Sequence, residues 1–148
     1  MSTPGIIAVD ILLEPDARML SAAQDNNARL RAVFPDSFAL DAEHRPHITL
    51  LQCFVATQDL AALSHTMNAV VRSARVASMA LQAVRYGYTP APGMGVAGIW
   101  VDVTPALLQL QADVIAAAAP FMVATAGIDA FTALSLIHIS EPTRPRLI

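Results

Sequence analysis

The sequence predicts an α+β fold in which helices pack on a mainly antiparallel sheet. Apolar residues alternate between β-like runs and helical stripes in the order β-α-β-α-β-β-α, and adjacent β segments without an intervening helix disfavour a doubly wound parallel sheet. The chain has 148 residues, fewer than the roughly 250 at which chains usually divide, so one domain is expected. It also lacks a Gly-rich phosphate loop, paired zinc-type cysteines and a His-Glu-x-x-His motif, and with them the folds those motifs mark.

Gly5 to Leu13 is β-branched and aliphatic and reads as the first strand. Glu14-Pro15-Asp16 stops it, and proline with acids suits the start of a helix. From Asp16 to Phe34, residues Leu20, Ala23, Asn27, Leu30 and Phe34 recur at spacings of three and four, forming one face. Arg18, Asp25, Arg29 and Arg31 lie mostly off it. Asp41 to Pro46 is a polar loop and His47 to Val55 a second strand. Asp59 is expected to cap a helix to about Ala74, with Leu60, Leu63, Met67, Val70 and Ala74 on one side. Met79 to Tyr88 reads as a third strand, Thr89 to Gly95 as a turn or flexible loop, and Val96 to Val103 as a fourth strand. Thr104-Pro105 starts a helix from Ala106 to Ala119 with Leu107, Leu110, Val114 and Ala117 on one stripe. Pro120 to Ala133 shows no clear element.

Composition narrows the function. Hydrophobic residues are 55% and charged residues 14%, a balance that drives core formation rather than disorder. All nine basic residues are arginines, and against twelve acids they leave a net charge of −3. This argues against nonspecific nucleic-acid binding, which needs a basic face. Cys53, the sole cysteine, lies in an apolar run and is expected to be buried filler, which with the absence of a basic leader points to a cytoplasmic setting. Uncharged stretches are broken by prolines before reaching the ~20 apolar residues of a membrane span, so no membrane partner is expected.

The C-terminus changes character. Alanine occurs 28 times up to Ala133 and never in residues 134–148. The run Ser135-Leu136-Ile137-His138-Ile139-Ser140-Glu141-Pro142-Thr143-Arg144 is similar to translated sequencing-adapter read-through at the broken ends of assembled reading frames. Residues 134–148 are therefore expected to be a non-native tail, and the native chain to continue past Ala133.

Chemical content concentrates at Arg45-Pro46-His47-Ile48-Thr49. Side chains alternate along a strand, so His47 and Thr49 project to one face and Ile48 to the other. An imidazole titrates near neutrality and exchanges protons, while a neighbouring hydroxyl can hydrogen-bond and orient a phosphate oxygen. With seventeen Ser plus Thr and four His in the chain, chance is enough to supply one His-x-Ser/Thr triplet. A structural histidine is the plainer reading of His47 taken alone.

Three segments, Ile7-Ala8-Val9-Asp10-Ile11-Leu12-Leu13-Glu14-Pro15, Asn27-Ala28-Arg29-Leu30-Arg31 and His44-Arg45-Pro46-His47-Ile48-Thr49-Leu50-Leu51-Gln52, give the chain a wider pattern. Together they resemble the 2H phosphoesterase superfamily in its 2′-5′ RNA ligase-like branch, and the resemblance continues through Tyr86-Gly87-Tyr88 and Gly98-Ile99-Trp100-Val101 to about Thr132. It implies a bilobal α+β fold with pseudo-twofold symmetry, each lobe giving one His-x-Thr/Ser dyad to a central cleft, with no metal or other cofactor. One histidine is base and the other acid. The implied function is that of a cyclic phosphodiesterase in RNA processing, with RNA ends bearing 2′,3′-cyclic phosphates or 2′-5′ linkages, or small cyclic nucleotides, as substrates.

Residue by residue, His47 matches the first catalytic histidine and Thr49 its hydroxyl partner. On this reading residues 1–133 are a partial 2H phosphoesterase-like domain whose second lobe is incomplete. The one later triplet, His138-Ile139-Ser140, lies in the expected tail, where Ile137 stands in place of the proline that usually precedes the second motif. The second half-site is therefore expected to be missing and the chain nearly inactive, poorly soluble and prone to associate through uncovered apolar faces. Arg45 is a candidate donor to a substrate phosphate, and Tyr88, with Tyr86 on the same strand face, a candidate for base stacking. An ordinary loop arginine and sheet-packing tyrosines are the plainer alternatives. His44 and His65 are expected to be solvated surface residues, and Met19, Met67 and Met79 core filler. The competing function is a noncatalytic ligand-binding or interaction module of ferredoxin-like architecture with a structural His47.

Overall fold

A computed structural model of the chain describes residues 5–42, 44–91, 94–127 and 130. Among the described residues the architecture is mixed α+β, with three α-helices and antiparallel sheets. The chain divides into two compact units, one on Met1–Ile11, Thr49–Ala80 and Val103–Ile148, the other on Leu12–Ile48 and Leu81–Asp102.

The first unit is organised by a three-stranded sheet in the order β1 (Ile6–Leu13), β2 (Ile48–Ala56), β5 (Met122–Val123). The last two residues of β1 and the first of β2 fall to the second unit. Thr57 N donates to the Gly5 carbonyl at 2.8 Å, so the start of β1 lies against the end of β2 and the two run antiparallel. β5 pairs antiparallel with β2 through Phe54 and Val123. β2 is paired on both edges, and burial of the consecutive residues Leu50 and Leu51, and of Cys53, Phe54 and Val55, shows that side chains on both its faces are covered, while Gln52 is exposed. The helices α2 (Leu60–Ser73) and α3 (Pro105–Ala118) pack on each other. They bury Leu63 from α2 and Leu107, Leu110, Val114 and Ala118 from α3. The expected α3 stripe is thus present, with Ala118 rather than Ala117 as its last buried member. Thr104 caps α3, its hydroxyl accepting from Leu107 N at 3.2 Å, with Pro105 in the first turn.

The second unit holds α1 (Ala17–Val33) and a two-stranded antiparallel hairpin, β3 (Ala83–Ala91) and β4 (Met94–Val101). Asp16 caps α1 by accepting from Met19 N at 2.8 Å. On the inner side of α1, Asn27 Nδ2 donates to the Phe38 carbonyl at 2.8 Å and its Oδ1 accepts from Leu40 N at 3.0 Å. One asparagine thus ties the following loop to the helix.

Several sequence expectations are corrected. The hairpin begins later and runs further than the third strand and loop predicted at Met79–Tyr88 and Thr89–Gly95, pairing as far as Ala91 with Met94. A 3-10 turn at Val76–Ser78 follows α2, delaying the strand. Pro90 is tolerated opposite Gly95 because each strand of a two-stranded sheet is an edge and can leave one row of backbone groups unpaired. Asp59 occupies the N-cap position of α2 without a side-chain capping bond, since the 3-10 turn Thr57–Asp59 leads directly into the helix. Phe34 is 62% exposed rather than packed, because α1 ends before it and its backbone leaves helical geometry (φ −125°, ψ 81°).

Candidate active site

Pro46 restricts the preceding Arg45 to extended backbone, and β2 begins immediately after His47. His47 is exposed, and its Nδ1 lies 2.7 Å from the Arg45 carbonyl oxygen. A carbonyl can only accept, so Nδ1 carries the hydrogen. In the neutral ring, the lone pair that takes up a proton is then on Nε2. Arg45 also reaches Glu14, Nη2 to Oε1 at 2.7 Å, with both side chains about half exposed (50% and 48%). That contact takes one of five guanidinium N–H groups and places a carboxylate beside the cation, weakening its pull on an anion.

Thr49 is half-buried in β2. Its hydroxyl donates to Asp10 Oδ2 in β1 at 3.4 Å, and Gln52 Nε2 donates to the same oxygen at 3.3 Å. Both are long and correspondingly weak. The division between the two units falls between Ile48 and Thr49, so His47 and Thr49 are each held by a different unit while remaining two residues apart along one chain.

Arg45 and His47 are brought together by the ring-to-carbonyl bond. Tyr88 stands in another setting, on the β3–β4 hairpin, 67% exposed, its ring occupying the place a Cβ would take on Gly95. Tyr86, its neighbour on that face, exchanges hydrogen-bonding contacts with Asn26 of α1 at 3.2 and 3.4 Å. His138 and Ser140 lie outside the described residues.

The contacts of three further groups are not legible in the sequence. Asp10 is an acid in an otherwise aliphatic strand, IIAVDILL, and that anomaly was the available signal for its contacts with Thr49 and Gln52. Glu14 gave no signal of its pairing with Arg45, 31 residues away. His44 is half-buried rather than solvated, with Nδ1 at 2.8 Å from Asp41 Oδ1 and its ring edge-on to Phe38 at 5.0 Å. His65 is exposed, as expected. Cys53 is buried, and burial first, then the nearby Asp10 charge, pushes its thiol up from the ordinary value. A protonated buried thiol is a poor nucleophile. Among the described residues no group of three or more His, Cys, Asp or Glu side chains could hold a metal ion, and no helix is long and apolar enough to cross a membrane.

No protein-family model matches the chain, and no curated protein or solved structure matches it significantly.

Proposed function

We propose that His47 is the proton-transfer residue of one half-site of a cyclic phosphodiesterase, with Thr49 orienting a phosphate oxygen and Arg45 and Tyr88 contributing to substrate binding. Its substrates are 2′,3′-cyclic phosphates, 2′-5′ linked RNA ends or related nucleotides, and the chemistry is general acid–base catalysis by histidine without a metal. The carrying observation is the 2.7 Å contact from His47 Nδ1 to the Arg45 carbonyl on an exposed ring. It orients the imidazole and selects the tautomer whose Nε2 can accept a proton from water or a ribose hydroxyl, as a backbone carbonyl bonded to the other ring nitrogen does for catalytic and ligating histidines. General acid and base act on opposite sides of the scissile bond, so a second histidine completes the reaction. A second lobe related to the first by pseudo-twofold symmetry would supply that histidine, and the RNA-end substrates fit a cytoplasmic setting.

The test is a titration with a nucleoside 2′,3′-cyclic phosphate followed through the histidine ring resonances. The His47 signals are expected to shift saturably while those of His65 do not, and any hydrolysis is expected to vanish in His47→Ala and fall in Thr49→Val. Histidine signals that ignore the nucleotide, or hydrolysis indifferent to His47→Ala, would overturn the assignment. The noncatalytic reading draws support from the engagement of both Arg45 and Thr49 by carboxylates. It predicts nucleotide binding with no hydrolysis even when the second half-site is supplied.

A further inference from the structure

Both tyrosines and the only tryptophan of the chain lie on the β3–β4 hairpin, whose 83–101 segment carries a single charged residue, Arg85. Cross-strand pairing sets the two faces. Tyr86 is opposite Ile99 and Tyr88 opposite Ala97, while Arg85 is opposite Trp100 and Gly87 opposite Gly98. Strand alternation therefore puts Arg85, Trp100, Gly87 and Gly98 on the other face from the tyrosines.

On that face the Arg85 guanidinium carbon lies 4.3 Å from the centre of the Trp100 ring system. The indole nitrogen of Trp100 occupies the place a Cβ would take on Gly87. Gly87 therefore admits the indole close to the backbone, and the indole in turn carries the guanidinium. A cation–π contact of this kind restrains an otherwise floppy cation while its N–H groups can still donate to an anion. Arg85 is exposed, and none of the carboxylates among the described residues pairs with it. Beside the stack, a Cβ on Gly98 would meet nothing within 4 Å, and Trp100 is 43% exposed. The face thus offers a cation that no carboxylate among the described residues neutralises, a partly open aromatic surface and space above Gly98.

We propose that the Arg85–Trp100 face of the hairpin binds the phosphate ester of a mononucleotide, the phosphate accepting from the guanidinium edge and the base stacking on the exposed indole above Gly98. One cation in a chain of net charge −3 suits a single phosphate rather than a continuous nucleic-acid backbone. His47 and Thr49 take no part, so this site stands or falls separately from the catalytic reading.

Trp100 is the sole tryptophan, so its emission reports the site directly. Adenosine 5′-monophosphate is expected to quench it saturably, with adenosine and inorganic phosphate each at least about ten-fold weaker, as loss of ~1.4 kcal/mol requires. Arg85→Gln should weaken binding by a similar factor. Gly98→Val, at a position where an added Cβ meets nothing within 4 Å, should abolish the quench while circular dichroism shows the fold retained. His47→Ala should leave affinity unchanged. A non-saturable response, equal response to adenosine and to its monophosphate, full affinity in Arg85→Gln or in a folded Gly98→Val, or loss of the quench in His47→Ala would each overturn the assignment.

Discussion

The two compact units differ in where their apolar side chains go. Eleven of the twelve buried core residues among those described belong to the unit built on β2, α2 and α3, and the second unit supplies only Ala23. Exposure runs the other way. Of the thirteen exposed large hydrophobic residues among those described, nine lie in the second unit, including Phe34, Tyr86, Tyr88 and Trp100, and four (Val71, Val103, Leu108 and Met122) in the first. The first unit has a middle strand whose two faces can both be covered, and two helices whose stripes meet. The second has a hairpin and one helix, and two strands offer too little surface to sequester a core. Its α1 is held to the following loop by polar bonds through Asn27 instead.

The sharpest break of this comparison is a pair of truncations. Leu110, 1% exposed, should cost about 3 kcal/mol on substitution by alanine, from lost burial plus a residual cavity. Phe34→Ala, at a 62% exposed position, should change stability by no more than about 0.5 kcal/mol. Urea denaturation of the two variants measures both, and comparable losses would erase the contrast. The next effect belongs to the second unit. Asn27→Ala removes two hydrogen bonds to the loop and should cost about 1–2 kcal/mol, with hydrogen exchange at the Leu40 amide accelerating first. A smaller gain is expected at the end of α2, where Arg75 adopts a left-handed backbone (φ 51°). Glycine takes that conformation without the Cβ penalty, so Arg75→Gly should stabilise by about 0.5–1 kcal/mol, read as a rise in the urea midpoint.

The smallest effect sharpens the picture of a dry first unit. The folded Cys53 thiol is held above its ordinary value of 9.0 by burial and by Asp10. Below 9.0 the thiol is protonated folded and unfolded, and its contribution is fully present. As pH rises beyond that, the unfolded thiol ionises first and stability falls until the folded value is passed. The stability of the parent minus that of Cys53→Ala should therefore decline through this alkaline window. A difference independent of pH would mean the thiol is hydrated.

Much of the local structure was legible. Asp16 and Thr104 announced the helices they cap, because a capping bond is made within three residues of its own chain. The stripe on α3 and the apolar run of β2 were readable for the same reason. β5 was not, since a two-residue strand has no periodicity and exists only through pairing with Phe54 and Val55. Pro90 and Gly95 read as part of a loop, yet the strands pair through them. At the candidate site, strand alternation predicts one face for His47 and Thr49, but β2 begins only at Ile48, and the two side chains bond to different partners, the Arg45 carbonyl and Asp10. The contacts of Arg45 with Glu14 and of Thr49 with Asp10 span 31 and 39 residues, and nothing at either end specifies the other.

By itself the sequence determined the class of fold, most element starts, the burial of Cys53 and the triplet that focuses attention on His47. These depend on backbone sterics, side-chain period and caps, all settled within a few residues. Tertiary structure alone decided which strand became central, which apolar side chains stayed in water, which carboxylates reached Arg45 and Thr49, and that Arg85 would lie on Trp100. Those outcomes depend on which distant segments the folded chain brings within a few ångströms, and short-range preference carries no record of that choice.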